Sequence, residues 1–243
     1  MSLNALLVQI RRSGDPMLEH EKICMRRRLS GVSVELRERN VLETPPKADW
    51  LDGCDLMVIG GSGDFSVHDP RSRSWITGLR QLLDEALSKE VPGFGICFGH
   101  QLLGLHFGGV VRTGEEGAEA GTVEVSLTES GMEEPLFQGM GASFYAHTGH
   151  SDFVEAVPEG LELLASNNSL KTQAFRVKGA PFYSTQFHPD LTAEEAHQRY
   201  FIYQRGLRDY MPDQKDIRAN FEPDKDESSE LLARFVERVV QGN

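Results

Sequence analysis

The chain has 243 residues, 39% hydrophobic and 26% charged, which suits an ordinary soluble globule with a sizeable core. A net charge of −12, from 37 acidic against 25 basic side chains, disfavours nucleic acid as a partner, and no apolar run approaches the roughly 20 residues of a membrane span. Three cysteines without disulfide-like spacing, and no signal-peptide pattern, point to a reducing, cytoplasmic setting.

In chain order, residues 5–10 form an apolar run suited to a buried parallel strand. Asp15 followed by Pro16 predicts a helix cap, with the helix running to about Leu29 and Gly31 closing it. Its basic run Arg26, Arg27 and Arg28 reads as a solvated helix face. Strands are expected over 32–36 and 55–59, a helix over 75–89, a strand over 91–96 and a helix from 98 to 107. Shorter strands follow over 123–127, 143–146, 161–165, 173–177 and 182–187, reading as a meander. Thr192 and Glu195 fit a capping box opening another helix. Residues 212–227 read as a polar loop, before a last helix with Leu232, Phe235, Val236 and Val239 on one face. The alternation predicts a single α/β domain with an open, mostly parallel central sheet, helices on both faces and a small antiparallel extension. Residues 1–192 would form that domain, with 193–243 a helical tail packed on it.

The chemistry centres on the run GFGICFGHQ, residues 93–101. A strand delivering Gly-x-Cys-x-Gly into a helix fits a strained turn with Cys97 as nucleophile at its apex. The turn would lift the sulfur towards substrate, the helix start would lower the thiol pKa, and the N–H of Phe98 would face an oxyanion. Alone, the stretch fits a small core cysteine at a tight turn equally well. A base is available in His188, which Pro189 holds extended. Asp190, two residues on, falls on the same side and can fix the imidazole tautomer; the plain alternative is a strand-end histidine with Asp190 capping the next helix. The glycine run Gly60, Gly61 and Gly63 leaves a buried strand at the same sheet end and offers a second oxyanion donor. It lacks the Gly-Lys-Ser/Thr ending of a phosphate-binding loop.

The order Cys, His, Asp differs from the nucleophile, acid, histidine order of α/β-hydrolases and argues against that fold. It is the order of the class I, or triad, glutamine amidotransferases, which the sequence resembles over most of its length. The matching pieces are Gly60-Gly61-Ser62, GICFGHQ, Gly149-His150-Ser151-Asp152, Gln173-Ala174-Phe175 and Gln186-Phe187-His188-Pro189-Asp190. Within the family it is most similar to the glutaminase part of GMP synthetase and its free-standing relatives. The resemblance implies hydrolysis of the glutamine amide through a γ-glutamyl thioester on Cys97, with His188 moving the proton. It also implies oxyanion donors at Gly61 and Phe98, and substrate contacts from Gly60, Gln101, Gly149, Ser151 and Asp152.

The family pattern ends His-Pro-Glu, whereas this chain has Asp190, shorter in reach by about 1.5 Å. No cofactor or metal is implied. A zinc site using His147, His150 and His188 is the unrelated alternative, and His20, His68, His100, His106 and His197 read as surface or packing residues. The substrate would be L-glutamine or a γ-glutamyl compound, with ammonia passing to a separate synthetase subunit. Two alternatives are a self-sufficient hydrolase of γ-glutamyl peptides or conjugates and an inactive binding module of the same fold.

Overall fold

Residues 2–208 and 220–242 are described by a computed structural model, for 204–208 through the backbone alone. The first strand, β1 (Leu3–Ile10), is apolar on both faces: Leu6, Val8 and Ile10 pack to one side, Ala5 and Leu7 to the other. Such a strand needs cover above and below the sheet. On one side α1 (Pro16–Arg28) supplies Met25, and the last helix (Leu231–Arg234, wound on as a π-helix over Phe235–Val240) supplies Leu232, Phe235 and Val236. On the other, α2 (Arg73–Ser88) brings Leu79 and Leu82, and α3 (Phe98–His106) brings Phe98 and Leu102.

Four further strands, β2 (Val34–Asn40), β3 (Leu56–Ser62), β4 (Gly93–Ile96) and, late in the chain, Phe182–Thr185, pair in parallel with β1 or with one another. Between them come β5 (Val111–Thr113), β6 (Glu119–Leu127), the short α4 (Glu129–Glu133), β7 (Ser143–His150), β8 (Asp152–Val154), β9 (Leu161–Ser166) and β10 (Ala174–Val177). Phe182–Thr185 is therefore β11. Among the described residues the main sheet has nine strands in the order β2-β1-β3-β4-β11-β10-β9-β6-β7. Its second half, from β11 to β7, pairs antiparallel and continues the same sheet. β5 and β8 form a separate antiparallel pair. The helix α5 (Ala193–Arg208) opens on the expected capping box, Thr192 N–H donating to Glu195 Oε2 at 3.0 Å and Glu195 N–H to Thr192 Oγ1 at 3.3 Å. It packs Ala193, Ala196 and Tyr200 with Cys24, Leu191 and Phe221.

The differences from the sequence reading have local causes. β2 lies at 34–40 rather than 32–36 because it is an edge strand, and its charged Glu35, Arg37, Glu38 and Arg39 conceal it from an apolar pattern. β6 begins four residues early, through Gly121 at φ +117, a residue that reads as a break. Asp15 caps α1 as expected, accepting from Met17 N–H at 2.8 Å. Gly31 does not close it: Leu29 does, its N–H bonding back to Met25, and Gly31 lies outside the positive-φ glycines. Arg26 and Arg27 are half-solvated as expected, yet they pair with Glu38 and Glu195. Of the loop expected over 212–227, residues 212–219 lie outside the described residues.

Candidate functional site

Cys97 follows β4 directly and takes φ +50, ψ −94, a conformation that costs a non-glycine residue about 1–3 kcal/mol. The surroundings enforce it. Its N–H donates to Thr185 O on β11 at 2.8 Å, and its carbonyl accepts from Gln101 N–H at 3.0 Å as α3 begins. Two glycines permit so sharp a corner by close backbone approach. A Cβ on Gly95 would lie 2.7 Å from the backbone of Gly99, and one on Gly99 would lie 2.5 Å from Ile59 O on β3. Phe98, the first residue of α3, has an N–H with no acceptor inside the helix.

His188 lies just beyond β11, its N–H donating to His147 O at 2.8 Å. Its Nδ1 donates to Asp190 Oδ1 at 3.0 Å, which fixes the tautomer and leaves Nε2 for proton transfer. Gly61 lies between the imidazole and the elbow: a Cβ there would sit 3.0 Å from His188 Cε1, 3.8 Å from Nε2 and 3.7 Å from Cys97 Cβ. Cys97 and His188 face the same cleft, which has a volume of about 340 Å³. Among the described residues no hydrogen bond joins the sulfur to the ring.

Burial dominates the electrostatics here. It pushes the Cys97 thiol up to about 12, with Asp152 adding to the rise, so the expected lowering by the helix start is outweighed. His188 is shifted below its ordinary value, first by burial and then by the positive charges of Arg199 and Arg11, against the pull of Asp190. Burial opposes ionisation of Asp190 as well, but Arg199 and His188 outweigh it and hold the carboxylate well below the usual range. Both shifts favour the neutral forms of the imidazole and the thiol.

Gln101, Gly149, Ser151 and Asp152 all line the cleft. Gln101 is buried rather than an exposed helix residue; its amide donates to Asp152 O at 2.9 Å and to Gln186 Oε1 at 3.3 Å. Asp152 is held at its side chain too, where Oδ1 accepts from Thr113 Oγ1 at 2.5 Å across the β5–β8 pair. Gly60 faces elsewhere, since a Cβ there would lie 2.6 Å from Glu21 Oε1. Among the described residues no group of three or more His, Cys, Asp and Glu side chains could hold a metal ion. The three histidines considered for zinc have separate partners: Thr122 for His147, Glu119 for His150 and Asp190 for His188. His100, next to the elbow, stacks on Phe175 at 4.3 Å and bonds to Ser184 and Thr172; burial holds it down at about 3, a packing residue as expected.

Sequence reasoning missed the part of the cleft's lining that charged and hydroxyl side chains supply. Arg11, 1% exposed, follows β1 at the same sheet end as Cys97, and pairs with Glu21 at 3.1 Å and with Tyr203 Oη at 2.9 Å. Arg199, on α5, donates from Nη1 to Asp190 Oδ2 at 2.8 Å. Arg11 had a usable signal, a charged residue at the carboxyl end of a parallel strand. Arg199 and Tyr203 had none, being ordinary members of an amphipathic helix.

The model of the family described as glutamine amidotransferase class-I matches residues 21–204. The chain belongs to that family. It is 36% identical over 125 residues to a glutamine-hydrolyzing GMP synthase subunit of Methanocaldococcus jannaschii, a match spanning 51% of this chain and 62% of the relative. The like-named protein of Sulfurisphaera tokodaii is 34% identical over 159 residues, 64% of this chain and 78% of the relative. Among solved structures, a glutamine amidotransferase from Thermotoga maritima superposes with a TM-score of 0.76 at 20% identity, covering 99% of both chains. A glutamine amidotransferase from Methylobacillus flagellatus reaches 0.70 at 19% identity, over 99% of this chain and 92% of that one. At such identities these two structures speak for the fold, an α/β domain of class-I amidotransferase type.

Proposed function

We propose that the protein hydrolyses the side-chain amide of glutamine through a thioester on Cys97. The supporting observation is the placing of Gly61 against both Cys97 and His188, with Asp190 bonded to the far side of the imidazole. Cys97 Sγ attacks the amide carbon as its proton passes to His188 Nε2, and the N–H groups of Gly61 and Phe98 hold the oxyanion. Collapse breaks the C–N bond, and His188 gives its proton to the departing ammonia. Water, deprotonated by the same imidazole, then cleaves the thioester to glutamate and frees the thiol. Gln101, Gly149, Ser151 and Asp152 surround the amino-acid end of the substrate. On the analogy of the relatives named as GMP synthase subunits, the ammonia passes to a separate synthetase subunit.

A second substrate class has its own support. Arg11, Arg199 and Tyr203 line the same cleft and give its wall two guanidinium charges. That wall suits a γ-glutamyl compound whose leaving amine carries an acidic group. The test is release of ammonia from glutamine, and of the amino acid from γ-glutamyl dipeptides, by the isolated chain and by Cys97→Ala. Turnover of either substrate that disappears in the variant is the expected result. Turnover that survives it removes the thioester, and the relative rates decide between the two substrate classes.

A further inference from the structure

We propose that Arg199 is a positioning residue for His188: it locks the short carboxylate of Asp190 into the plane that orients the imidazole, and it places a fixed positive charge beside the ring. The proposal rests on the reading of His188 as the proton carrier.

The argument begins with the carboxylate. A free aspartate two residues from its histidine can rotate out of line. Asp190 is 1% exposed, so either oxygen left without a donor would be costly. Oδ1 accepts from His188 Nδ1 at 3.0 Å and Oδ2 from Arg199 Nη1 at 2.8 Å. Donors on both oxygens, from two different elements, fix the carboxylate plane. Arg199 Nη1 also comes within 3.5 Å of His188 Nδ1, but the two shorter contacts leave Nδ1 protonated and Arg199 engaged with Asp190. Arg199 is in turn fixed from outside the site. The capping box sets the start of α5, and Glu195, on its first turn, is tied to Arg27 of α1 at 2.8 Å.

The charge has a separate effect. The groups that face His188 are Asp190 on its own loop, Arg199 on α5, Arg11 after β1, Cys97 at the elbow and His147 on β7. Burial and the two arginines disfavour the imidazolium; Asp190 favours it. Removing Arg199 therefore raises the proton affinity of His188. A residue that only supported packing would lower kcat without moving the pH dependence.

The test compares wild type, Arg199→Met and Arg199→Lys by kcat, KM and the acid limb of kcat/KM. Alongside, the ring of His188 is titrated by NMR on histidine-labelled protein, its signal assigned by loss in His188→Gln. In wild type the acid limb should lie below the ordinary histidine value of 6.5. In Arg199→Met the limb and the NMR midpoint should rise by about one pH unit, and kcat should fall about 10–100-fold with KM changed by no more than about threefold. Arg199→Lys keeps the charge but not the planar guanidinium that sets Nη1 against Asp190 Oδ2, so its limb should stay near wild type with kcat partly recovered. An unmoved midpoint in Arg199→Met, or a change confined to KM, overturns the proposal. If Arg199→Met does not fold, wild-type kcat in Arg199→Lys does so. If wild type hydrolyses no glutamyl substrate, the reading of the site fails, while the NMR midpoints still decide the effect of Arg199.

Discussion

Along one wall of the cleft, Cys97 and His188, with Gly61 packed against them, stand at the carboxyl ends of neighbouring parallel strands β3, β4 and β11, held by backbone hydrogen bonds and glycine contacts. Along the other, Arg199, Tyr200 and Tyr203 come from one helix, α5, which meets Arg11 and closes over Gly63, where a Cβ would lie 2.1 Å from the Tyr203 ring. The first wall is shaped by the main chain: the spacing of strands in a sheet is fixed, so residues at three strand ends must converge. The second is shaped by side chains that meet only after folding, joined by charges and hydroxyls. Position is therefore set by the sheet, and orientation and charge by the helix.

Substitutions should separate the two. His188→Gln removes the proposed proton carrier from the first wall and should lower turnover about 10²–10⁴-fold with the fold intact; a loss below tenfold would leave His188 without its role. Gly99→Ala drives a Cβ to 2.5 Å from the Ile59 carbonyl, a main-chain atom that cannot swing aside. It should cost about 2–4 kcal/mol in denaturant unfolding and reduce turnover as the elbow shifts; an unchanged midpoint would show that the corner does not depend on this approach. Tyr203→Phe touches only the second wall, deleting the hydroxyl that accepts from Arg11 and donates to Asp15. About 1 kcal/mol of stability should be lost and turnover should stay within about threefold. A larger loss of turnover there would show that the helix wall acts on turnover through Tyr203 and not through Arg199 alone.

The same division governs what could be read in advance. The inner parallel strands β1, β3, β4 and β11, the elbow and the His188-Pro189-Asp190 loop lie in short contiguous runs with their own spacing, and each emerged within about three residues of its place. β2 was shifted because an edge strand carries charge, and β5 and β8 passed unnoticed because three residues show no period. The expected lowering of the thiol pKa was reversed because burial of Cys97, a tertiary property, exceeds the influence of the helix start. The salt bridge from Arg199 to Asp190 spans nine residues and depends on the register of α5, which no local pattern discloses. Asp190 was legible from its spacing to His188; the arginine that accompanies it was not.

The most direct measurement is covalent capture. An electrophilic glutamine analogue incubated with the full chain should give one adduct, mapped by mass spectrometry to Cys97, and labelling should slow when His188 is replaced by Gln. An adduct on Cys24 or Cys54 instead, or none under conditions that modify a control amidotransferase, would contradict a thioester at the elbow.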